Sequence, residues 1–166
     1  ILVGGRGSDH LHPGVGNDFS LGDNGRFDFL NEDSESQPLD LVAAIESAAY
    51  GAADTIDGEQ GDDLIIGGEG SDQITDMFGD NLVFGDHGQI ELEAISVSRT
   101  EENRAGAVTA INGVSVSQRV ITSTSPTIGD ADTITVGHGK DVVFGGVQND
   151  IIDGGSGQDI LFGDNG

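Results

Sequence analysis

The sequence repeats a nine-residue unit, and this repetition constrains the fold more than any other feature of the chain. Residues 55–90 divide into the units TIDGEQGDD, LIIGGEGSD, QITDMFGDN and LVFGDHGQI. Most units open with a triplet rich in β-branched residues and leucine, continue through a Gly-rich turn and end on Asp or Asn. Because β-branched residues favour strands and glycine permits tight turns, the repeat predicts an all-β fold.

The nonapeptides occur in blocks that are separated by segments without the repeat. One constant offset superimposes a complete block on the other and aligns Asp54 with Asp132, while a second offset aligns the N-terminal segment with part of a complete block. Because the chain opens at Ile1 in the middle of this pattern, we expect it to be a piece of a longer protein. The predicted organisation is a partial block at 1–27, a linker at 28–53, a block at 54–90, a linker at 91–131 and a block at 132–166.

The linkers carry a different pattern, in which apolar and polar residues alternate. The alternation is found in RFDFL, QIELEAISV and VSVSQRVITS and is typical of strands with one buried face. We therefore predict that each linker is a β-hairpin-like excursion with a polar tip, NEDSESQ in the first and RTEENRAG in the second. A short helix over residues 39–49 is the alternative, because Pro38 suits a first helical turn.

Acidic residues dominate the charge of the chain, with 30 Asp and Glu against 6 Lys and Arg and a formal net charge of −24. Such a surface repels anionic membranes and nucleic acid, whose binding depends on neutralising phosphates. No stretch approaches the roughly 20 apolar residues of a membrane span, so we expect neither nucleic-acid binding nor membrane insertion. A disordered acidic segment is disfavoured by the regular spacing of Ile, Leu and Val. Cations are the partners that this charge favours.

The repeat length also predicts which residues lie next to each other. Two nonapeptides form one coil, and coils stacked at the parallel-strand spacing of about 4.8 Å bring equivalent turns together. Residues two units apart then face each other: Asp54 with Asp72, Asp132 with Asp150, and Asp141 with Asp159. The central side chain of each triplet is expected to point inward: Ile56, Ile65, Ile74 and Val83 in the middle block.

Stacked carboxylates repel one another unless a cation lies between them. Carboxylate and carbonyl oxygens favour Ca²⁺ over transition metals, and flexible turns favour it over Mg²⁺, which requires a stricter octahedron. The absence of Cys excludes thiolate zinc sites and disulfide scaffolds. We predict several Ca²⁺ ions, with side-chain ligands from Asp9, Asp18, Asp23, Asp54, Asp63, Asp72, Asn81, Asp86, Asp132, Asp141, Asp150, Asp159 and Asp164.

A metal-free solenoid with ordinary Gly/Asp turns is the competing interpretation, since Asp is favoured in turns on its own. Each block holds only about two full coils, fewer than the three or more that repeat proteins usually stack. With few large side chains to bury, we expect bound ions to contribute much of the folding free energy.

Whole turns match the pattern G-G-x-G-x-D-x-U-x, where U is a large apolar residue. The matching segments are GGRGSDHLH (4–12), GGEGSDQIT (67–75) and GGSGQDILF (154–162). They resemble the RTX, or hemolysin-type calcium-binding, repeat family. The resemblance implies a parallel β-roll, type I secretion, and arrays of blocks like those of very large bacterial surface proteins. It also implies carbonyl ligands from Gly58, Gly61, Gly67, Gly70, Gly145, Gly154 and Gly157.

One nonapeptide departs from that pattern more than the others. In QITDMFGDN two glycines are lost, and Asn81 stands opposite Asp63 where the pattern has Asp. We expect a calcium site there to be weak or to recruit Asp80. A second departure is Gln148 in GGVQND, which replaces the third glycine.

Each block closes on a G-D-N/H-G turn, in FSLGDNG, LVFGDHG and ILFGDNG. The Asp of this turn follows the preceding predicted ligand at the same sequence spacing in all three blocks. We hypothesise that it replaces the missing second carboxylate of the last ion and ends the roll, so that the chain leaves into the linker. The three residues are Asp23, Asp86 and Asp164.

No catalytic constellation stands out in the sequence, and we do not expect an enzyme. There is no G-x-S-x-G elbow and no H-E-x-x-H motif, and the period of the Asp residues indicates structural ligands. His10 and His12 lie two apart in HLH, which could suit a transition metal, but no third ligand is evident. We expect these two residues, His87 and His138 to be exposed to solvent.

These features predict a structural calcium-binding module of a large extracellular bacterial protein, such as an adhesin stalk, a matrix fibre or a surface layer. We expect it to fold on binding Ca²⁺ after export, with neighbouring repeats or further copies as partners. One alternative is the C-terminal secretion and folding module of an exported enzyme such as a protease or lipase. Another is a ligand-binding adhesion module whose linkers form the contact surface.

Overall fold

The computed structural model describes residues 1–28, 41–44, 51–94, 107–111 and 114–164. These residues form strands, turns and bends, and they contain no helix, so the predicted all-β class is confirmed for them. Along the chain the strands are β1 (Leu2–Val3), β2 (His10–Leu11), β3 (Phe19–Leu21), β4 (Gly25–Asp28), β5 (Leu41–Ala44), β6 (Thr55–Asp57), β7 (Leu64–Ile66), β8 (Gln73–Phe78), β9 (Leu82–Phe84), β10 (Gly88–Ala94), β11 (Ala107–Ile111), β12 (Val114–Ser123), β13 (Thr133–Gly139), β14 (Val142–Gly146), β15 (Ile151–Asp153), β16 (Ser156–Gly157) and β17 (Ile160–Asp164).

The first parallel sheet has six strands in the order β1-β3-β7-β9-β14-β17. Within a block, neighbouring strands are one coil apart, as in the pairing of Leu64 with Leu82. The pairing continues across the linkers, because Phe19 pairs with Leu64 and Leu82 pairs with Val142. The expectation that each linker interrupts the parallel structure is therefore wrong for this sheet.

The second parallel sheet has the order β15-β13-β8-β6-β2, with β16 also paired to β13. Its register follows the same rule, since Thr55 pairs with Gln73 inside the middle block. Across the linkers His10 pairs with Thr55, and Gln73 pairs with Thr133. Strands of all three blocks thus join the same two sheets in sequence order, while the block boundaries themselves stay a prediction.

The third sheet is antiparallel and takes its strands from both linkers, in the order β11-β12-β10-β5-β4. The strands predicted from the alternating segments are confirmed where the structure describes them. Unexpectedly, the two linkers pair with each other, as Glu91 pairs with Leu41. This pairing satisfies strand edges that two separate hairpins would leave open.

Two linker predictions fall wholly or partly on residues that the structure does not describe. Residues 41–44 are a strand, so the helix alternative is wrong for them, and the rest of 39–49 lies outside the described residues. The polar tips NEDSESQ and RTEENRAG also lie outside the described residues.

The two parallel sheets share a hydrophobic core built from the central residues of the triplets. As predicted, Ile56, Ile65, Ile74 and Val83 belong to one buried cluster. The remaining members of that cluster come from the same positions and their neighbours: Leu11, Ile134, Val136 and Val143. Residues of the first sheet thereby pack directly against residues of the second.

The first parallel sheet is also covered on its other face, by the antiparallel sheet. The flanking residues of its triplets, such as Leu64 and Ile66, form a second buried cluster with Val42 and Ile90 of the linkers. The first sheet is thus the middle of three layers, which explains why all three positions of LII and LVF are apolar and buried. In the part of the chain that the structure describes, no helix is long and apolar enough to cross a membrane.

Candidate metal centres

Carboxylates stack in two columns along the parallel sheets, where turns lead into strands. The first column lies at the turns that enter the second sheet and contains Asp9, Asp54, Asp72, Asp132 and Asp150. The second column lies at the turns that enter the first sheet and contains Asp18, Asp63, Asn81, Asp141 and Asp159. The stacking predicted from the two-unit coil is confirmed and extends across both linkers.

One carboxylate oxygen of each residue maintains the stack. The backbone N–H of Asp54 donates to Oδ1 of Asp72 at 2.8 Å, one coil further along. The N–H of Asp72 donates in turn to Oδ1 of Asp132 at 2.8 Å, across the second linker. In the second column the N–H of Asp141 donates to Oδ1 of Asp159 at 3.1 Å. The Asp side chains therefore hold successive coils in register.

The other carboxylate oxygen of most of these residues has no partner. Among the described residues of the two columns, buried Oδ2 atoms without a hydrogen-bond partner belong to Asp9, Asp54, Asp63, Asp72, Asp132, Asp141 and Asp150. A buried polar oxygen without a partner costs free energy, and a buried charge costs more. These atoms are therefore suited to bind a cation.

A recurring geometry surrounds each such oxygen in the first column. The point that a Cβ on Gly67 would occupy is in contact with Oδ2 of Asp72 and with the carbonyl oxygen of Gly85. We call this arrangement of a glycine, a carboxylate and the carbonyl of the next coil a cradle. Equivalent cradles begin at Gly4, Gly22, Gly85 and Gly145. Because the glycines leave the space open, oxygens from two coils reach one point.

The cradles include glycines that the sequence interpretation missed. Gly67 and Gly145 were predicted as ligands, but Gly4, Gly22 and Gly85 were not. The signal was present, because Gly22 follows Gly4 by one coil and Gly85 follows Gly67 by one coil. Gly22 and Gly85 open G-D-N/H-G turns, in which the Asp and not the first glycine is the predicted ligand.

The second column is less regular than the first. A Cβ on Gly154 would lie 3.4 Å from Oδ2 of Asp159, and Pro13 and Val136 stand at the equivalent position of two other turns. At Asn81 the amide Nδ2 donates to the carbonyl of Gly79 at 3.3 Å. The remaining predicted glycines, Gly61, Gly70 and Gly157, have positive φ in the tight turns, and their role as carbonyl ligands stays a prediction.

The donor set of the cradles is all oxygen, which fits a hard cation such as Ca²⁺. No group of three or more His, Cys, Asp or Glu side chains among the described residues could hold a metal by itself. Backbone carbonyls must therefore complete any site, and each first-column cradle provides one.

A family model of the RTX calcium-binding nonapeptide repeat (4 copies) matches residues 1–26, 49–74, 66–89, 129–151 and 137–166, more than half of the chain. The chain belongs to this family. No curated protein and no solved structure matches the chain. RTX repeats bind calcium, which agrees with the oxygen donors of the cradles.

Burial sets the electrostatics of the RTX columns when no ion is bound. Loss of solvation raises the pKa of Asp72 to about 9 and that of Asp132 to about 8, although backbone N–H donors oppose the shift. The same cause raises the pKa of Asp54 and of Asp63 to about 6. The centre of the first column therefore binds protons most readily, and a cation would compete with them.

The G-D-N/H-G turns do not end the parallel sheets. Oδ2 of Asp23 accepts from the N–H of Glu69 at 2.6 Å. Asp86 accepts from the N–H of Val147 at 2.5 Å and from that of Asp130 at 3.2 Å. These two carboxylates bind the next coil beyond the linker, so the hypothesis is wrong in stating that these turns end the stack. The chain does leave after them into β4 and β10 of the antiparallel sheet, as expected. Asp164 is exposed, and the ligand role of the three residues stays a prediction.

Three of the four histidines are exposed, as predicted: His10, His12 and His138. The prediction is wrong for His87, whose side chain is only 2% exposed. The carbonyl of His87 accepts from the N–H of Thr124, where the antiparallel sheet meets the turn. The linker sheet therefore covers a residue that would be exposed on a bare turn.

Proposed function

We propose that the chain is a structural calcium-binding repeat module of a large extracellular bacterial protein, such as an adhesin stalk, matrix fibre or surface layer, and that it is not an enzyme. The observation that carries the proposal is the series of five equivalent cradles in the first column, each with a buried carboxylate oxygen beside a carbonyl of the next coil. RTX repeats are typical of secreted bacterial proteins, which supports an extracellular location.

In each cradle the two oxygens of one carboxylate have different roles. Oδ1 of Asp72 keeps the coil in register through the N–H of Asp54, while Oδ2 has no partner among the described residues. The carbonyl oxygen of Gly85 accepts from the N–H of Gly68 at 2.9 Å and has a second lone pair for a metal ion. Bound calcium would supply positive charge and flexible oxygen coordination there. The carboxylates would thereby become attractive links between coils instead of repulsive ones.

In this proposal the two parallel sheets are the opposite walls of one calcium-bound β-roll. Support comes from the chain path, which alternates between the sheets, and from the common core of Ile65 and Ile74. The linkers do not divide the roll. They cover its first sheet through Val42 and Ile90 and so act as a lateral support.

The proposed mechanism is coupled binding and folding. A formal charge of −24 opposes compaction when calcium is scarce, as in a bacterial cytoplasm before export. Millimolar calcium outside the cell would neutralise the columns and stabilise the stacked coils, since ligand binding to the folded state shifts the equilibrium toward it.

Circular dichroism of the chain in EGTA and then in excess calcium tests this mechanism. We expect a largely disordered spectrum in EGTA and a strong gain of β-signal with calcium, because the empty columns repel themselves. Magnesium at the same concentration is the control and should give much less β-signal, since its small octahedral shell fits the cradles poorly. A spectrum that does not respond to calcium would contradict the proposal.

A further inference from the structure

The nonapeptide QITDMFGDN has Asn81 instead of the second-column carboxylate, but it has an additional carboxylate, Asp76. Asn81 stands where Asp63 and Asp141 stand in neighbouring coils. Its Nδ2 donates to the carbonyl of Gly79 at 3.3 Å, so it presents a donor where an Asp would present an oxygen. Asp76, which precedes Asn81 in the same unit, stands where most turns have the first glycine of the cradle.

The side chain of Asp76 is fully buried, with 0% of its surface exposed. Neither of its carboxylate oxygens has a hydrogen-bond partner among the described residues. In the columns, Oδ1 of a residue such as Asp72 accepts from a backbone N–H. Asp76 has no such role in maintaining the stack, so both of its oxygens remain without a partner.

The oxygens of Asp76 point into a cradle. Oδ2 of Asp76 is in contact with the point that a Cβ on Gly58 would occupy, and Oδ2 of Asp63 lies 3.2 Å from the same point. Oδ2 of Asp63 is itself buried without a partner. Two carboxylates from successive coils therefore face one open space.

The cradle at Gly58 matches a first-column cradle with one exchange of ligand type. At Gly67 the oxygen from the next coil is the carbonyl of Gly85. At Gly58 the oxygen from the next coil is Oδ2 of Asp76, which follows Gly58 at the same sequence offset. A carboxylate thus replaces a carbonyl at an equivalent place.

We propose that Asp76 is a calcium ligand that acts together with Asp63 and compensates for Asn81. The inference rests on the proposed calcium-dependent function and names a site within it. Asp80, which the sequence suggested as the substitute, is exposed, and its Oδ1 accepts from the N–H of Lys140 at 2.9 Å. Asp80 therefore does not face the cradle, whereas Asp76 does.

The test is the number of calcium ions bound per chain in wild type, Asp76→Asn and Asp80→Asn, measured by equilibrium dialysis with metal analysis. We expect Asp76→Asn to bind one ion fewer than wild type, because one of two facing carboxylates is lost. The matched control Asp80→Asn should bind as many ions as wild type, since its carboxylate lies outside the cradle.

A second variant keeps the test decisive if Asp76→Asn does not recover the β-signal of wild type in excess calcium. Asp76 pairs in register with Val136, which is 1% exposed in the same sheet, so a valine fits this position. Asp76→Val should fold with calcium and also bind one ion fewer.

An unchanged ion count in a folded Asp76→Asn or Asp76→Val chain overturns the inference and would make Asp76 a buried neutral acid. A wild-type chain that binds no calcium would instead contradict the proposed function itself. The two failures are therefore distinguishable in one data set.

Discussion

The two columns of turns carry the same nonapeptide, yet only the first column is regular. Its five cradles repeat one arrangement from Gly4 to Gly145. The second column has an amide at Asn81, an extra carboxylate at Asp76, and Pro13 and Val136 at positions where the first column has glycine. The first column thus has glycine at this position in every turn, whereas the second column also has other residues there.

The regularity of the first column has a steric reason. Each of its glycines stands against a carboxylate of the column and the carbonyl of the next coil. A side chain at one position would therefore disturb two coils at once. At the equivalent positions of the second column stand Pro13, Asp76 and Val136, so side chains are accommodated there.

Filling a first-column cradle with a side chain should strongly lower the unfolding free energy of the calcium-loaded chain. In Gly67→Ala the new Cβ meets Oδ2 of Asp72 and the carbonyl of Gly85. Overpacking of this kind costs about 1–3 kcal/mol of unfolding free energy, to which the loss of a bound ion adds. Calcium-loaded thermal unfolding and the ion count measure both effects.

The control is Gly163→Ala, at the same motif position one coil after Gly145, where a Cβ would meet nothing within 4 Å. We expect it to keep the ion count and to change stability little. Equal destabilisation by Gly67→Ala and Gly163→Ala would show that the cradle has no special role.

An intermediate effect is expected from pH, because the columns bind protons when ions are removed. The folded, ion-free chain has a pKa of about 9 at Asp72 and about 8 at Asp132, against an ordinary value of 3.8. Between pH 4 and 9 the folded state thus binds more protons than the unfolded state, so its stability falls as pH rises. The β-signal in EGTA should be greatest near pH 4 and decline toward pH 9.

With saturating calcium the trend should reverse, because ions bind deprotonated carboxylates. The two titrations also compare proton binding by the columns, because the pKa of Asp63 in the second column is about 6 and that of Asp72 in the first column is about 9. An EGTA series whose β-signal rises with pH would contradict the raised pKa values.

The last comparison sets the second column against the exposed histidines, where the smallest effect is expected. Replacing Asp141 and Asp159 with Ala leaves the N–H groups of Asn81 and Asp141 without their acceptors. Each unsatisfied buried group costs about 1–3 kcal/mol, so folding should need more calcium. Calcium titration of the β-signal measures the shift in midpoint.

His10→Ala with His12→Ala should leave that midpoint unchanged, because both side chains are exposed and surface substitutions rarely exceed about 0.5 kcal/mol. A histidine double variant that shifts the midpoint as much as the aspartate pair would indicate that HLH takes part in metal binding.

Much of the fold could be predicted from the sequence because its determinants are local or periodic. The two-unit coil correctly placed Asp54 beside Asp72 and directed Ile65 and Val83 into the core. The alternating pattern of VSVSQRVITS correctly predicted β12. In each case the deciding interaction lies within one strand or one coil, where spacing alone determines the geometry.

The missed features all depend on contacts between distant segments. The pairing of Glu91 with Leu41 joins two linkers whose patterns only indicate strands, not partners. The burial of His87 follows from the cover that this joined sheet provides. In the sequence Asp76 is only a lost glycine. Its proposed ligand role follows from its position beside Gly58 and Asp63 of the preceding coil.

The all-β class, the family and the stacking of Asp residues follow from the nine-residue repeat alone, because a strict period repeats the same local geometry at every coil. Only long-range contacts establish that strands pair in parallel across the linkers and that the linkers contribute one sheet that covers the first parallel sheet. Those outcomes depend on which strand edges and apolar faces meet, and no nine-residue period contains that choice. The place of Asp76 beside Asp63 and Gly58 belongs to the second kind, since it depends on contact between coils and not on neighbours along the chain.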